Sequence, residues 1–270
     1  MPLISAEQLS RELASDDPPL VIDVRPAEQF ARGQIATAVH LDLWGVSLID
    51  TSDAPLRAFM WMIGHLFALR GVDPSRSVVI YERESGIRAA RAFWLLEYLD
   101  HPDVRVLDGG VTAWRGLGLP LETEPATPTP GAWHGTPHPD RLATWPQVLE
   151  RLSDRRTVIV DTRSADEHTG RLVRAKRGGT IPGAVHIEWS ENLSADGRFK
   201  TADELAELYS AHGVSAQRGV ITFCQGGYRA AHTYLALRIL GFPDVRNYTG
   251  SWKEWGDRED LPIAVTAEKQ

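Results

Sequence analysis

Residues 219–229 read Gly-Val-Ile-Thr-Phe-Cys-Gln-Gly-Gly-Tyr-Arg, and this stretch decides the fold. An apolar, β-branched run ends at Cys224, two glycines follow, and the Ala-rich residues 230–240 favour a helix. A strand, a tight loop and a helix start would aim backbone N–H groups at the sulfur, and the positive helix end would favour a thiolate. A lone cysteine is more often a small buried apolar residue. This setting and the repeat described below favour a nucleophile instead.

Composition excludes several classes of protein. The chain has 270 residues and a net charge of −7, which argues against nucleic acid as a partner and means that an anionic substrate needs a local basic patch. No run approaches the roughly 18 apolar residues of a membrane span, and residues 1–13 lack an apolar signal core. The single cysteine excludes an intrachain disulfide and a cysteine-based zinc site. We therefore expect a cytoplasmic protein that binds neither a membrane nor a metal.

The sequence repeats itself with a period of about 140 residues. The repeated segments, in order, are Val21-Ile-Asp-Val-Arg25 with Val158-Ile-Val-Asp161-Thr-Arg163, Ala38-Val-His-Leu41 with Ala184-Val-His-Ile187, Arg88-Ala-Ala90 with Arg229-Ala-Ala231, Pro102-Asp-Val-Arg105 with Pro243-Asp-Val-Arg246, and Trp114 with Trp255. Because the order is kept throughout, chance similarity is a poor explanation. Between the copies, residues 122–138 are rich in proline and threonine, which predicts an extended linker.

Each copy alternates short apolar runs with helical patterns. Buried strands are predicted at residues 20–24, 78–81, 104–107, 158–161, 220–223 and 245–248, and helices at residues 142–152 and 205–211. This alternation predicts an α/β fold with a largely parallel sheet, present twice and flanked by helices. Ligands of such sheets bind beyond the carboxyl ends of the strands, which is where Cys224 lies.

The sequence resembles the two-domain rhodanese sulfurtransferases over nearly its whole length. The resemblance rests on the Cys224 loop, on the Asp-x-Arg pairs Asp23/Arg25 and Asp161/Arg163, on Tyr248-Thr-Gly-Ser-Trp-Lys-Glu-Trp255, and on Thr180-Ile-Pro-Gly-Ala184, which has Thr where the family usually has His. The first copy of this last pattern has decayed to Gln34-Ile-Ala-Thr-Ala38. The resemblance implies an inactive rhodanese-like domain at residues 1–124, a linker at 125–140 and a catalytic rhodanese domain at 141–270.

The two loops differ at the position of the nucleophile. The second copy has Cys224, four residues and then Arg229, whereas the first reads Tyr81-Glu-Arg-Glu-Ser-Gly-Ile-Arg88. Alignment of the strands places Glu82 opposite Cys224, and alignment of the arginines places Arg83 there. Neither supplies a thiol nucleophile, and the two carboxylates of this loop would repel an anionic substrate, so we expect the first site to be inactive.

The resemblance implies transfer of a sulfane sulfur from thiosulfate to a thiol or cyanide through a Cys224 persulfide. The loop residues would hold the terminal sulfur anion: Gln225, Gly226, Gly227, Tyr228 and Arg229. Both glycines are expected to be required because they lack a side chain. Arg174 or Arg171 would steer the anionic donor. We expect no cofactor and a monomeric enzyme.

Three alternatives remain open at this stage. A 3-mercaptopyruvate sulfurtransferase is disfavoured because its relatives usually carry arginine six residues after Asp161, where this chain has Glu167. A cysteine-dependent phosphatase needs five residues between cysteine and arginine to fit a phosphate. A non-catalytic sulfur-binding module is the third alternative, and the intact Cys224 loop argues against it.

Overall fold

The structure, a computed structural model, describes residues 1–265 and divides them into two units. The N-terminal unit comprises Met1–Val46, Ala58–His138 and Leu193–Phe199, and the C-terminal unit comprises Ser47–Arg57, Pro139–Asn192 and the described chain from Lys200 onward. The chain passes from the N-terminal to the C-terminal unit after His138, which lies inside the predicted linker of residues 125–140. The two short segments that group with the other half of the sequence were not expected.

The first half of the chain contains a five-stranded parallel sheet in the order β1-β5-β4-β2-β3. Its strands are β1 Leu3–Ile4, β2 Leu20–Asp23, β3 Val39–His40, β4 Val78–Tyr81 and β5 Val104–Leu107. The helices of this half are α1 Ala6–Leu13, α2 Ala27–Phe30, α3 Asp53–Ala68, α4 Ile87–Tyr98 and α5 Gly110–Gly116. Strands β2 and β4 are buried along their whole length, as expected for strands in the interior of such a sheet.

The second half contains a four-stranded parallel sheet in the order β7-β6-β8-β9. Its strands are β6 Thr157–Asp161, β7 Val185–His186, β8 Gly219–Phe223 and β9 Val245–Asn247. The helices are α6 Trp145–Arg151, α7 Ala165–Thr169, α8 Ala202–Ala211, α9 Tyr228–Ile239 and α10 Ser251–Trp255, with short 3₁₀ helices at Pro139–Arg141 and Trp189–Asn192. The predicted α/β fold with two helix-flanked parallel sheets is confirmed.

Helix α6 begins three residues later than the sequence pattern predicts. Thr144 and Gln147 form a capping box, in which each side chain bonds the backbone of the other residue. Before the cap, the Ala143 N–H donates to the carbonyl of Asn247 on β9 at 3.1 Å. Leu142 and Ala143 therefore lie beside the sheet instead of opening the helix.

Each unit has its own core, and the repeated tryptophans fill equivalent places in the two cores. Trp114 packs with Val79, Tyr81 and Val111, and Trp255 packs in a cluster that includes Phe223. The indole N–H of Trp114 donates to the carbonyl of Pro120 at 2.9 Å, and that of Trp255 donates to the carbonyl of Pro262 at 2.7 Å. These matching anchors show that the sequence repeat is also a structural one.

Candidate active site

Cys224 lies at the carboxyl end of β8, in the interior of the C-terminal sheet. Only 1% of the residue is exposed. Strand β8 pairs with β6 on one side and β9 on the other, so the position of the thiol is fixed from both sides. Gln225, Gly226 and Gly227 then turn the chain into α9, which begins at Tyr228. The predicted order of strand, loop and helix is therefore present.

The loop between Cys224 and α9 directs backbone N–H groups at the sulfur. The Gly227 N–H donates to the sulfur of Cys224 at 3.1 Å, and the N–H groups of Gly226 and Ala230 also interact with the thiolate. The carbonyl of Gly227 accepts a hydrogen bond from the side-chain amide of Asn247 at 3.2 Å. Because these donors are held in place, they can stabilise an anion without reorganisation.

The glycines of this loop are not equivalent, which corrects the expectation that both are required for lack of a side chain. Gly227 has φ of 85°, in the left-handed region that favours glycine. Gly226 is not in that region, and an added Cβ would find its nearest neighbour, the Ser47 hydroxyl, only at 3.9 Å. The structure therefore requires glycine at 227 and leaves room for a methyl group at 226.

A second layer of contacts from the start of α10 supports the loop. The Cys224 N–H donates to the Ser251 hydroxyl at 3.1 Å, and this hydroxyl donates to the Tyr248 carbonyl at 2.8 Å. The N–H groups of Trp252 and Lys253 donate to the carbonyls of Cys224 and Gln225 at 2.9 and 3.0 Å. Ser251 has φ of 54°, an uncommon conformation for a residue other than glycine. Sequence reasoning missed Ser251, although it lies inside the Tyr248–Trp255 motif.

The guanidinium of Arg229 bonds Glu167 and also interacts with the Cys224 sulfur. It forms a two-pronged ion pair with Glu167 of α7, at 2.6 Å to Oε2 and 2.9 Å to Oε1. Burial raises the pKa of Glu167, but the bonds from Arg229 and Ser164 outweigh burial and hold that pKa below its ordinary value. Glu167 is thus a buried, charged partner of the loop, a role that sequence reasoning did not assign to it.

The surroundings of Cys224 favour the thiolate. Burial raises the pKa of the thiol, because it disfavours a charged sulfur. The positive charge of Arg229 and the N–H groups of Ala230, Gly226 and Gly227 outweigh burial, so the pKa is lowered from its ordinary value. The same factors would stabilise the negative charge on the outer sulfur of a persulfide at Cys224.

Of the two predicted steering arginines, Arg174 contacts the cysteine loop. Its carbonyl accepts a hydrogen bond from the Gln225 side chain at 2.9 Å, and its guanidinium lies 3.6 Å from Glu167 with 53% of the side chain exposed. Arg171 forms an exposed ion pair with Asp166 at 2.5 Å. Arg174 is therefore the better candidate for a cation that meets the substrate. Tyr228 is partly exposed and lies at the start of α9.

The Asp-x-Arg pair of each unit is a buried ion pair at the carboxyl end of an interior strand, β2 or β6. Arg163 bonds Asp161 and the Gly179 carbonyl, and its guanidinium stacks on Trp252 at 4.5 Å from the ring centroid. Thr180, where the family usually has His, donates to Asp161 at 2.8 Å. Burial raises the pKa of Asp161, but these partners outweigh it and hold the pKa well below its ordinary value. Arg163 supports the cysteine loop through Trp252, whose N–H donates to the Cys224 carbonyl.

Backbone hydrogen bonds show how the first-copy loop, residues 82–88, aligns with the Cys224 loop. The Val111 N–H donates to the Glu82 carbonyl at 2.9 Å, as Trp252 does to Cys224, and the Thr112 N–H donates to Arg83 at 3.0 Å, as Lys253 does to Gln225. Glu82 is therefore the counterpart of Cys224. Its carboxylate accepts the N–H groups of Arg88 and Ala89, each at 2.8 Å. The N–H groups of this loop are therefore occupied by the carboxyl group of Glu82, which belongs to the same loop.

A nucleophilic thiol under several N–H donors can attack an electrophilic sulfur and hold the resulting persulfide.

Among residues 1–265, no three His, Cys, Asp or Glu side chains are grouped so that they could bind a metal ion. Over the same residues, no helix has the length and apolar character needed to cross a membrane.

Both copies of the repeat resemble a known domain family. The rhodanese-like domain matches residues 5–117 and again residues 144–258. The thiosulfate sulfurtransferases of Pseudomonas aeruginosa and Azotobacter vinelandii are 31% and 32% identical, each over 91% of this chain and 91% of the relative. A sulfur carrier protein of Thermus thermophilus, TtuD, is 36% identical over 72% of this chain and 73% of its own length.

Solved structures share the fold at low sequence identity. The enzyme of anaerobic ergothioneine biosynthesis from Chlorobium limicola superimposes with a TM-score of 0.86 at 20% identity, over 98% of this chain and 70% of that enzyme. A structure of EanB with ergothioneine gives a TM-score of 0.86 over 99% of this chain and 71% of EanB. The relatives named above support a sulfurtransferase activity. The predicted resemblance is confirmed, and the chain belongs to the rhodanese-like family, with two copies of the domain.

Proposed function

We propose that this protein transfers a sulfane sulfur from thiosulfate to a thiophilic acceptor through a persulfide on Cys224. The observation that carries the proposal is the hydrogen bond from the Gly227 N–H to the Cys224 sulfur at 3.1 Å, at the start of α9. That bond places a fixed donor and the positive end of a helix against the one thiol of the chain. The two curated relatives named thiosulfate sulfurtransferase support thiosulfate as the donor.

The first step forms the persulfide. The Cys224 thiolate attacks the outer sulfur of thiosulfate, a new S–S bond forms, and the old S–S bond breaks. Sulfite leaves with the electron pair of the broken bond. The terminal sulfur of the persulfide carries the negative charge, which the N–H groups of Gly226, Gly227 and Ala230 are oriented to stabilise.

The second step returns the enzyme to its starting state. An acceptor, cyanide in the laboratory or a thiol in the cell, attacks the terminal sulfur. The S–S bond to Cys224 breaks, and the thiolate recovers the electron pair. Because each bond that breaks returns its electrons to sulfur, no oxidant or cofactor is needed. The lowered pKa of Cys224 helps this step as well, since a more stable thiolate is a better leaving group.

Glu167 was expected to repel the carboxylate of 3-mercaptopyruvate. Its side chain is only 3% exposed and its charge is matched by Arg229, so this repulsion is weaker than the sequence suggested. Arg174 remains as a half-exposed cation that could accept either donor. The preference for thiosulfate therefore rests on the curated relatives and not on Glu167.

A phosphatase is disfavoured by the loop. Only four residues separate Cys224 from Arg229, and the Arg229 guanidinium bonds Glu167 with both of its terminal nitrogens. A phosphatase would present that guanidinium to the phosphate oxygens instead.

Steady-state kinetics with cyanide as acceptor tests the donor. We expect a higher kcat/KM for thiosulfate than for 3-mercaptopyruvate, and sulfite released in equal amounts with thiocyanate. A higher kcat/KM for 3-mercaptopyruvate would replace the donor while retaining the sulfurtransferase. Turnover of an aryl phosphate without activity on either sulfur donor would refute the proposed function.

A further inference from the structure

The N-terminal unit contains a cavity of about 420 Å³ whose wall is rich in arginine. The residues that line it are Arg25, Gln29, Arg32, Arg83, Val111, Thr112 and Arg115. This set contains four guanidinium groups and no carboxylate, in a chain whose net charge is −7. The volume is within the range of ordinary small-molecule sites, about 300–1,000 Å³.

In three of these four arginines, Arg32, Arg83 and Arg115, the positive charge is available to a ligand. Arg25 is buried and bonds both Asp23 and the Gly33 carbonyl. Its charge is therefore balanced by Asp23, and it only lines the cavity. Within residues 1–265, neither Arg32 nor Arg115 forms an ion pair, and both are exposed. Arg83 has only a loose contact with Glu84 at 3.6 Å, with most of its side chain in solvent.

The cavity is a place where the two copies of the domain have diverged. Gln29 follows Arg25 by four residues, as Glu167 follows Arg163, so the amide replaces the carboxylate that engages Arg229 in the other copy. The matching backbone bonds also place Arg83 at the position of Gln225. At these two positions this face has lost an acid and gained a cation, whereas the same loop carries the carboxylates of Glu82, in place of Cys224, and of Glu84. Glu82 is occupied by the N–H groups of Arg88 and Ala89.

We propose that this arginine-lined cavity is a binding site for a small organic phosphate, separate from the sulfur-transfer site. Guanidinium groups bond phosphate oxygens in a planar, two-pronged geometry, and several together match a group that carries two negative charges. A bare oxyanion would leave most of the volume empty, so the ligand needs an organic portion. That portion must be polar, because Val111 is the only apolar residue in the wall.

Isothermal titration calorimetry on the full chain tests the proposal, with adenosine 5′-monophosphate, pyrophosphate, inorganic phosphate and succinate as probes. We expect the nucleotide to bind most tightly, inorganic phosphate more weakly, and succinate at least about tenfold more weakly than the nucleotide. Pyrophosphate tighter than the nucleotide would show that free polyphosphate, and not an organic phosphate, is the ligand, and would overturn that part of the proposal. Absence of heat with every phosphate would overturn all of it.

Two sets of variants localise the binding. The double variant Arg32→Ser/Arg115→Ser should weaken nucleotide binding at least about tenfold, and Arg83→Ser alone should weaken it less. A matched control, Arg11→Ser/Arg57→Ser, removes the same charge from exposed positions outside the cavity and should bind as the unmodified protein does. Equal weakening in the control would mean that net charge alone attracts the ligand. Persulfide formation at Cys224 should be unchanged in all three variants, which separates this test from that of the proposed function.

Discussion

Glu167 accepts hydrogen bonds from both terminal nitrogens of Arg229, at 2.6 and 2.9 Å, and so connects α7 to α9, the helix that follows Cys224. The pair has two effects on the site. It holds Arg229 close enough for its charge to lower the pKa of Cys224. It also balances a largely buried guanidinium, which would otherwise lack a counter-charge.

Loss of Glu167 should therefore destabilise the protein. We expect Glu167→Ala to lower the free energy of unfolding by about 3 kcal/mol, because it leaves Arg229 without its partner in a buried setting. The matched control is Asp166→Ala, the next residue of α7, whose ion pair with Arg171 is exposed and should contribute at most about 1 kcal/mol. Urea unfolding measures both. Similar losses in the two variants would contradict the importance of the buried pair.

The two loop glycines should respond differently to alanine. Gly227→Ala places a side chain at φ of 85°, at a cost of roughly 1–2 kcal/mol, and displaces the N–H that faces the sulfur. Loss of such a donor should reduce turnover at least tenfold. Gly226→Ala adds a methyl group where the nearest atom is 3.9 Å away and should retain most of the turnover. Thiocyanate formation provides the measurement, and the reverse order of the two variants would refute the cradle geometry.

Arg229 should control the titration of Cys224. The charge of Arg229 lowers the thiol pKa, so Arg229→Gln should raise it and reduce the thiolate population at neutral pH. Because Cys224 is the only cysteine, the ultraviolet absorbance of the thiolate reports on it alone. Arg88→Gln, the same change at the counterpart arginine, should leave the titration unaltered. An unchanged midpoint in Arg229→Gln would show that the backbone donors suffice.

Glu82 should make stability depend on pH. Burial raises the pKa of its carboxyl from 4.5 to about 7, despite the N–H groups of Ala89 and Arg88 that favour the charged form. A carboxyl whose pKa is higher in the folded state loses stabilising effect as the pH rises from the unfolded value through the folded one. Its contribution should fall between about pH 4.5 and about pH 7.

The variant Glu82→Gln tests this dependence, since its amide oxygen can accept the same two N–H groups without a charge. Relative to the unmodified protein, Glu82→Gln should gain melting temperature at pH 8, with little difference at pH 4. A constant difference across this range would show that Glu82 does not titrate in it.

The long strands and the duplication could be predicted from the sequence, whereas the short strands could not. Residues 78–81 are Val-Val-Ile-Tyr and residues 220–223 are apolar except for Thr222, so their composition predicts burial. Strands β1, β3 and β7 have two residues each, too few to show any periodicity. They form because longer neighbouring strands offer free backbone groups along an edge.

The position of the proposed nucleophile could be predicted from local sequence, but its tertiary partners could not. Cys224 is identified by the local order of strand, glycine and helix. Glu167 lies more than fifty residues away, and its pairing with Arg229 depends on how α7 packs. The available signal was the Ser164-x-x-Glu167 pattern, which marks a helix start but gives no tertiary partner. Ser251 escaped notice because the contact of its hydroxyl with the Cys224 N–H depends on a left-handed backbone conformation that the sequence does not show.

The most direct measurement is the intact mass of the protein after incubation with thiosulfate, for the unmodified chain and for Cys224→Ser. The unmodified protein should gain the mass of one sulfur atom and lose it on addition of cyanide. Cys224→Ser, a nearly isosteric change, should fold and gain no mass. An unmodified protein that acquires no sulfur, or a serine variant that does, would contradict the assignment of Cys224 as the sulfur carrier.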